Sequence, residues 1–176
     1  LSSTTRSGDT IYGYQSNAGN IYDADAAFPV ALTIFDTGGI DTLNYAESGS
    51  PLLLNLNPET YLNVLGRIGN LTIARGTIIE NAFGSFHSDT IIGNSVANIL
   101  GGGGTRDTLT GGLGDDTFRD TKAGLDGDTI TDFGFGDRIV ITDVSLANFT
   151  FDLAGSTLTY TGGSLFLLAP VAGTIV

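Results

Sequence analysis

The chain has 176 residues and a formal net charge of −12, and it contains 26 Gly and no Cys. This charge argues against nucleic acids and anionic membrane surfaces as partners, no apolar run is long enough for membrane insertion, and the lack of Cys excludes disulfides and thiolate metal sites. Sixteen of the nineteen acids are Asp, which together with Gly indicates tight loops that present short carboxylates to hard cations.

Short segments rich in β-branched and large apolar residues come first along the chain. They lie at 29–36, 52–57, 71–74 and 77–83, and turn-forming clusters such as DTGGID and ESGSP separate them. Each segment is predicted to be a short strand. The sequence shows no helical stripe of useful length, so an all-β fold is expected.

A repeat of nine residues occupies the middle of the chain. Its four units begin at Gly84, Gly93, Gly102 and Gly111. The sixth positions are Asp89, Asn98, Asp107 and Asp116, and the eighth positions are Ile91, Leu100, Leu109 and Phe118. This pattern matches the calcium-binding nonapeptide of RTX proteins.

The repeat predicts a coil of two units, in which each unit stacks on the next but one at about 4.8 Å. Asp89 would then lie over Asp107, and Asn98 over Asp116. Two carboxylates about 5 Å apart repel each other by roughly 1 kcal/mol in water and by several times more in a less polar environment. Calcium, with oxygen ligands at about 2.3–2.6 Å, fits between such layers better than magnesium does. A metal-free solenoid is the alternative.

Two departures from the repeat affect these expectations. Asn98 removes one charge from its predicted site and should weaken it. His87 replaces a Gly at the fourth position and is interpreted as an exposed turn residue rather than a ligand.

The last part of the chain is also predicted to be β-structure. The run DTITDFGFGDRIVIT alternates apolar and polar residues, which is typical of strand, turn and strand. Residues 149–176 predict two or three further strands. The chain is interpreted as one domain, with N-terminal strands at 1–83, nonapeptides at 84–119 and closing strands at 120–176.

Several motifs resemble the C-terminal domain of serralysin-type secreted zinc metalloproteases. They are TTRSGDTIYGYQSN at 4–17, FDTGGIDTLNY at 35–45, GNLTIARGTIIENAFG at 69–84 and DTITDFGFGDRIVI at 128–141. They follow the order of that family, and the resemblance covers roughly residues 4–141. It implies a right-handed parallel β-roll wrapped by an antiparallel β-sandwich-like portion, with several calcium ions as cofactors.

The resemblance also implies the ligands of these ions. A first site would use the carbonyls of Arg6, Gly8 and Thr10 with Asp36, Gly38 and Asp41, and a neighbouring site Gly39, Asp41, the Ile78 carbonyl and Glu80. In the roll, one ion would take Gly84, Phe86, Asp89, Gly103, Thr105 and Asp107, and the next Gly93, Ser95, Asn98, Gly112, Gly114 and Asp116. A third would take Gly102, Gly104, Asp107 and Asp128, with the choice between Asp120 and Asp126 left open.

One His in the whole chain cannot supply a HExxHxxGxxH zinc site. We therefore expect a non-catalytic, calcium-binding module of a secreted protease. The expected partners are a zinc-containing catalytic domain upstream and a type I secretion apparatus. The family's export signal has an acid followed by apolar residues, and the terminal GTIV lacks that acid.

Two other functions fit the same residues. RTX rolls also resemble modules of alginate-modifying enzymes, so the chain could bind polysaccharide, although its few cations argue against that. A surface adhesin module is the third interpretation, and it would associate with itself when calcium is added.

Overall fold

A computed structural model describes residues 6–26, 31–145, 147, 149–168 and 174–175. Positions 29 and 30 of the first predicted strand segment lie outside the described residues, as do positions 4 and 5 of the opening motif and positions 173 and 176 of the terminal GTIV.

The described residues form seventeen short strands and one 3₁₀ turn at Asn20–Tyr22. The first eight strands are β1 Ile11–Gly13, β2 Leu32–Ile34, β3 Thr42–Asn44, β4 Leu53–Asn55, β5 Tyr61–Leu62, β6 Leu71–Ile73, β7 Asn81–Phe83 and β8 Thr90–Ile92. The others are β9 Ile99–Gly101, β10 Thr108–Thr110, β11 Thr117–Asp120, β12 Thr129–Ile130, β13 Arg138–Ile141, β14 Phe151–Ala154, β15 Thr157–Tyr160, β16 Gly163–Leu167 and β17 Thr174–Ile175. The all-β prediction is confirmed.

Alternate strands of the roll enter opposite sheets. The first sheet has the order β1-β3-β7-β9-β11-β13-β17, and the second β14-β15-β16-β12-β10-β8-β4. Thr108 pairs with Thr90 in parallel register, and Thr117 pairs with Ile99 in the same way. Each nonapeptide therefore stacks on the next but one, as the repeat predicts. Antiparallel pairing joins β14 to β15, β15 to β16, and β5 to β6.

The eighth position of every nonapeptide points into the core. Ile91, Leu100, Leu109 and Phe118 have no exposed surface, and they belong to one apolar cluster that joins both sheets. Because side chains alternate along a strand, the residues on either side of each inward position face outward. The three-residue strands thus place one apolar side chain inside per unit and leave the turns at the edges of the roll.

The free edge of β1 is closed by the loop that follows it. The Ile11 amide donates to Asn17 Oδ1 at 2.7 Å, and the Ala24 amide donates to the Gly13 carbonyl at 2.9 Å. These bonds satisfy backbone groups that an edge strand would otherwise present to other chains. In the part of the chain that the structure describes, no helix is long and apolar enough to cross a membrane.

Candidate metal centre

Three aspartates form a column at one edge of the roll. Asp89, Asp107 and Asp128 immediately precede β8, β10 and β12, and at most 2% of each residue is exposed. The Asp89 amide donates to Asp107 Oδ1 at 2.8 Å, and the Asp107 amide donates to Asp128 Oδ1 at 2.8 Å. One oxygen of each upper carboxylate is therefore fixed by the backbone of the coil below. We call this group the Asp column.

A second column, more varied in chemistry, lies at the other edge. It contains Glu80, Asn98, Asp116 and Asp137, which precede β7, β9, β11 and β13. The Asn98 amide donates to Asp116 Oδ1 at 2.8 Å, and the Asp116 amide donates to Asp137 Oδ1 at 2.9 Å. The backbone geometry of the Asp column is thus repeated here with one neutral member. We call this group the mixed column.

Among the residues that the structure describes, three buried carboxylate oxygens have no hydrogen-bond partner. They are Oδ2 of Asp41, Asp107 and Asp128. A buried charged oxygen without a partner is costly. Each of these oxygens therefore marks a position where a proton or a cation would be favourable.

Glycines lie next to the Oδ2 atoms of several carboxylates in the roll. A Cβ at Gly102 would clash with Asp107 Oδ2, and one at Gly111 would clash with Asp116 Oδ2. A Cβ at Gly84 would lie 2.6 Å from Asp89 Oδ2 and 2.5 Å from the Gly102 carbonyl oxygen. The carboxylate and a backbone carbonyl of the next coil therefore converge on a space that only Gly leaves open.

Burial opposes ionisation of these carboxyl groups. It raises the pKa of Asp107 to about 7, helped by the nearby charges of Asp89 and Asp120. It raises the pKa of Asp128 to about 8 and that of Asp116 to about 6, again with contributions from neighbouring acids. Near neutral pH the columns therefore require either protons or bound cations.

At Asn98, hydrogen bonds within the protein satisfy both polar atoms of the side chain. Its Oδ1 accepts from the Asn94 amide at 2.8 Å, and its Nδ2 donates to the Glu80 carbonyl at 3.0 Å. Asn94 Nδ2 in turn donates to the Ile79 carbonyl at 2.8 Å. Side-chain amides here satisfy two backbone carbonyls within the protein itself.

The N-terminal residues that the resemblance singled out also come together. The Thr10 amide donates to Asp41 Oδ1 at 2.9 Å, and the Asp41 amide donates to Glu80 Oε2 at 2.7 Å. Asp36 is 2% exposed and contributes to the raised pKa of Asp41, which reaches about 6 mainly through burial. The Arg6 carbonyl accepts from the Thr37 amide at 3.1 Å, so it lies at the same loop.

Some predicted residues can take part only through their backbone. The Arg6 guanidinium lies 4.5 Å from the Tyr22 ring centroid and donates to the Phe35 carbonyl. Phe86 is 79% exposed and Ile78 49% exposed, so their side chains face away from the roll. This agrees with the carbonyl roles that the resemblance implied for Arg6 and Ile78.

The remaining predicted residues lie in the facing turns of adjacent coils. A Cβ at Gly103 would clash with the Ser85 carbonyl, one at Gly112 with the Asn94 carbonyl, and one at Gly39 would lie 2.6 Å from the Gly8 carbonyl oxygen. A Cβ at Gly114 would lie 3.0 Å from the Val96 carbonyl oxygen. The structure therefore places Gly39, Gly103, Gly112 and Gly114 against backbone of the adjacent turn, Gly93 beside Asn98, and Gly38 beside Asp36, whose Oδ1 accepts from the Gly38 amide at 3.1 Å.

Contacts around Asp120 distinguish it from Asp126. Asp120 Oδ2 accepts from the Gly103 amide at 2.8 Å, and its charge raises the pKa of both Asp107 and Asp128. Asp126 Oδ1 instead accepts from the Ser164 amide at 2.9 Å, although its charge also raises the pKa of Asp128. Asp120 is therefore the acid at the top of the Asp column.

Sequence analysis did not find Asp132 and Asp137. Asp132 accepts from the amides of Gly111 and Gly112, both at 2.8 Å. Successive members of both columns are 18 residues apart within the nonapeptides, but 21 residues separate Asp107 from Asp128 and Asp116 from Asp137. The fixed period therefore misses Asp137, whereas a spacing with three inserted residues includes it. Asp132 follows Gly111 by 21 residues and has no acidic counterpart one coil earlier.

Within the described residues, no group of three or more His, Cys, Asp or Glu side chains could hold a metal ion by themselves. An ion here would need backbone carbonyls as well as carboxylates, as calcium often does. His87 is half-buried, and its Nδ1 has no hydrogen-bond partner.

Parallel strands in two sheets, with Gly-rich turns and stacked Asp between them, define a β-roll of nonapeptide repeats. The chain belongs to the peptidase M10 serralysin C-terminal family, whose profile matches residues 2–163.

Relatives with curated descriptions agree with this family. A metalloprotease AprA of Pseudomonas entomophila is 43% identical over 98 residues, which is 54% of this chain and 20% of the relative. A serralysin of Photorhabdus laumondii is 41% identical over 99 residues, or 55% of this chain and 21% of the relative. Serralysin G of Dickeya chrysanthemi is 38% identical over 99 residues, again 55% of this chain and 21% of the relative. The chain thus spans about a fifth of the length of these relatives.

Proposed function

We propose that this chain is the non-catalytic, calcium-binding C-terminal module of a secreted, serralysin-like zinc metalloprotease, and that calcium drives its folding. The observation that carries the proposal is the set of buried Oδ2 atoms without partners on Asp41, Asp107 and Asp128. Of these, Asp107 Oδ2 lies beside Gly102, and at Gly84 the Asp89 carboxylate converges with a backbone carbonyl of the next coil. Calcium takes six to eight oxygen ligands of these two kinds.

Three ions would lie along the roll. The first would be held by Gly84, Phe86, Asp89, Gly103, Thr105 and Asp107, and the second by Gly93, Ser95, Asn98, Gly112, Gly114 and Asp116. The third would be held by Gly102, Gly104, Asp107 and Asp128, with Asp120 as the further acid because it bonds the Gly103 amide. Asp107 contributes to two of these sites.

Two more ions would lie at the N-terminal loops. One would use Arg6, Gly8, Thr10, Asp36, Gly38 and Asp41, and the other Gly39, Asp41, Ile78 and Glu80. The hydrogen bonds that join Asp41 to Thr10 and Glu80 support this placement. Asp41 is the shared ligand here, as Asp107 is in the roll.

Calcium binding would couple to folding through charge. Five divalent ions would offset about ten negative charges of a chain whose formal charge is −12. Without them, repulsion and desolvation in the columns oppose closure of the Ile, Leu and Phe core. Low calcium inside a cell would keep the chain loose for a type I exporter, and calcium outside would fold it.

Catalysis would belong to another part of the protein. The chain has one His, whereas a zinc protease site of this class requires three with a Glu base. Two of the relatives are named serralysins and one a metalloprotease. Zinc and proteolysis are therefore proposed for a domain that precedes this module.

The test is a calcium titration of this chain after chelation, followed by far-UV circular dichroism and isothermal titration calorimetry. We expect strand signal and urea resistance to appear with calcium, and not with the same concentration of magnesium. Asp107→Asn should remove the heat of more than one site, whereas Asp152→Asn, at the exposed β14, should leave it unchanged. An unchanged β-sheet spectrum in chelator, with no heat on calcium addition, would refute the proposal.

A further inference from the structure

Strand β14 is a sheet edge without the usual protection. It pairs with β15 on one side and ends the second sheet on the other, and all four of its residues are exposed. Edge strands are normally blunted by bulges, prolines, several charges or a covering loop. The outer side of β14 has no pairing strand within the described residues, in contrast to β1, whose edge its own loop closes.

The backbone groups that face this open edge can be assigned. The Thr161 amide donates to the Thr150 carbonyl at 3.0 Å, so this pair is bonded toward β15. Because bonded pairs alternate along an antiparallel ladder, Asp152 and Ala154 also bond toward β15. Phe149, Phe151 and Leu153 therefore direct their amides and carbonyls outward.

The same three residues carry apolar surface, which is exposed at Phe151 and Leu153 and half-buried at Phe149. Phe151 is 55% exposed and Leu153 40% exposed, and they lie opposite the buried Tyr160 and Leu158, on the core-facing side of the sheet. The Phe149 ring lies 6.3 Å from the Tyr160 ring and shares that side. Thr150 and Asp152 alternate onto the other side. Strand β14 and the two residues before it thus alternate apolar and polar side chains along the edge.

We propose that a second copy of this chain pairs with this edge, antiparallel and with two-fold symmetry about Phe151. In that register Phe151 lies opposite Phe151 of the second copy, and Phe149 lies opposite Leu153. Asp152 then faces Thr150 of the second copy rather than another acid. The apolar residues form one continuous stripe on the core-facing side of a sheet that runs through both copies.

Alternative registers are disfavoured by the same sequence. A shift that centres the pair on Asp152 would place two carboxylates directly opposite each other, which destabilises a strand pair. A shift by one residue would mismatch the outward backbone groups and place the apolar side chains on opposite faces. The register about Phe151 combines matched hydrogen-bond groups with matched side chains.

The position of β14 in the fold favours a second copy over the preceding domain. The chain enters at Arg6, next to β1, whereas β14 lies beyond β12 and β16 at the other end of the second sheet. A five-residue strand pair buries less than about 1,000 Å², which is typical of weak association. β14 holds none of the proposed calcium ligands, so this inference does not rest on the proposed function.

The natural absence of Cys allows a direct test by disulfide capture in calcium. Phe151→Cys would place two thiols at the symmetry axis, where opposite Cα atoms about 5.5 Å apart suit a disulfide. Asp152→Cys would face Thr150 instead, and Phe166→Cys, on the interior strand β16, serves as the matched control. We expect a disulfide-linked dimer at least ten times faster from Phe151→Cys than from either control. Equal rates for the three variants would overturn the proposal.

Sedimentation equilibrium supplies the second measurement. The unmodified chain should show a concentration-dependent increase in mass at about 100 µM, and Phe151→Lys should abolish it with an unchanged circular dichroism spectrum. A chain that stays monomeric throughout, or a dimer that Phe151→Lys does not affect, would contradict pairing through β14.

Discussion

The Asp column and the mixed column have the same backbone hydrogen bonds but different side-chain chemistry. In both, an amide of one coil donates to Oδ1 of the next coil at 2.8–2.9 Å. The Asp column leaves Oδ2 of Asp107 and Asp128 without a partner. In the mixed column, the Asn98 amide nitrogen bonds a carbonyl instead.

This difference separates the hydrogen bonds that stack the strands from the carboxylate oxygens that the turns leave without a partner. The stacking of coils depends on backbone and Oδ1 bonds, which an Asn can accept as well as an Asp. The second carboxylate oxygen is the atom that the proposed cation would satisfy. The two columns should therefore respond differently to the same perturbation.

The largest effect should come from Asp107→Asn. In calcium it removes a ligand shared by two proposed sites, and we expect a loss of about 3 kcal/mol in the free energy of unfolding. In chelator the same change should be neutral or stabilising, because an unpaired buried oxygen becomes an amide. Urea unfolding in both conditions measures the two effects, and an equal loss with and without calcium would contradict the assignment.

The pH dependence of the calcium-free chain should follow the raised pKa values. Asp107 and Asp128 reach about 7 and about 8 in the folded chain, against an ordinary value of 3.8. The folded chain then binds more protons than the unfolded chain between about pH 4 and pH 8. Its stability should therefore fall as pH rises through this window.

Saturating calcium should remove or reverse this trend, because the ion competes with protons. Urea midpoints at pH 5 and pH 8 in chelator check the sign. The double change of Asp107 and Asp128 to Asn should flatten the profile, and a midpoint that rises with pH in chelator would contradict it.

Adding a methyl group to the glycine turn beside Asp107 should have an intermediate effect on stability. A methyl group at Gly102 clashes with Asp107 Oδ2, so Gly102→Ala should lower stability in calcium by about 2 kcal/mol. Gly111→Ala makes the matched change at Asp116 in the mixed column. Gly49→Ala, where nothing lies within 4 Å of the added atom, is the control in thermal unfolding. A Gly102→Ala variant with unchanged calcium affinity would place the ion elsewhere.

The smallest effect should come from Asn98→Asp, which converts the neutral member of the mixed column into an acid. The variant loses the Nδ2 bond to the Glu80 carbonyl and gains a buried charge. We expect about 1 kcal/mol less stability in chelator and tighter calcium binding. Calorimetry and chelator melts measure the two changes, and weaker calcium binding by the variant would contradict the comparison.

Local pattern was sufficient to predict the roll. The Gly, Asp and apolar positions between Gly84 and Phe118 repeat at a fixed period, so stacking and the inward residues follow from strand geometry alone. The N-terminal grouping of Asp36, Asp41 and Glu80 was accessible only through family resemblance, because loops of different length join them.

The closing coil could not be predicted in the same way. The sequence leaves Asp120 and Asp126 as alternatives for the further acid of the third proposed site. Which of them lies against Gly103 depends on the fold. Pairing of Asp126 with Ser164 comes from a hairpin 38 residues away, which no local pattern contains. The open edge at β14 also depends on the order of strands rather than on any one segment.

The change of spacing from 18 to 21 residues fixes how the coils align. Identical repeats can slide past one another by one whole coil at little cost. Asp120 and Asp132 take the positions that glycines take one coil earlier. Their carboxylates accept hydrogen bonds from the amides of Gly103 and Gly111. A chain shifted by one coil would leave those two amides without hydrogen bonds. The last turn therefore fixes the register of the roll and the number of coils that stack.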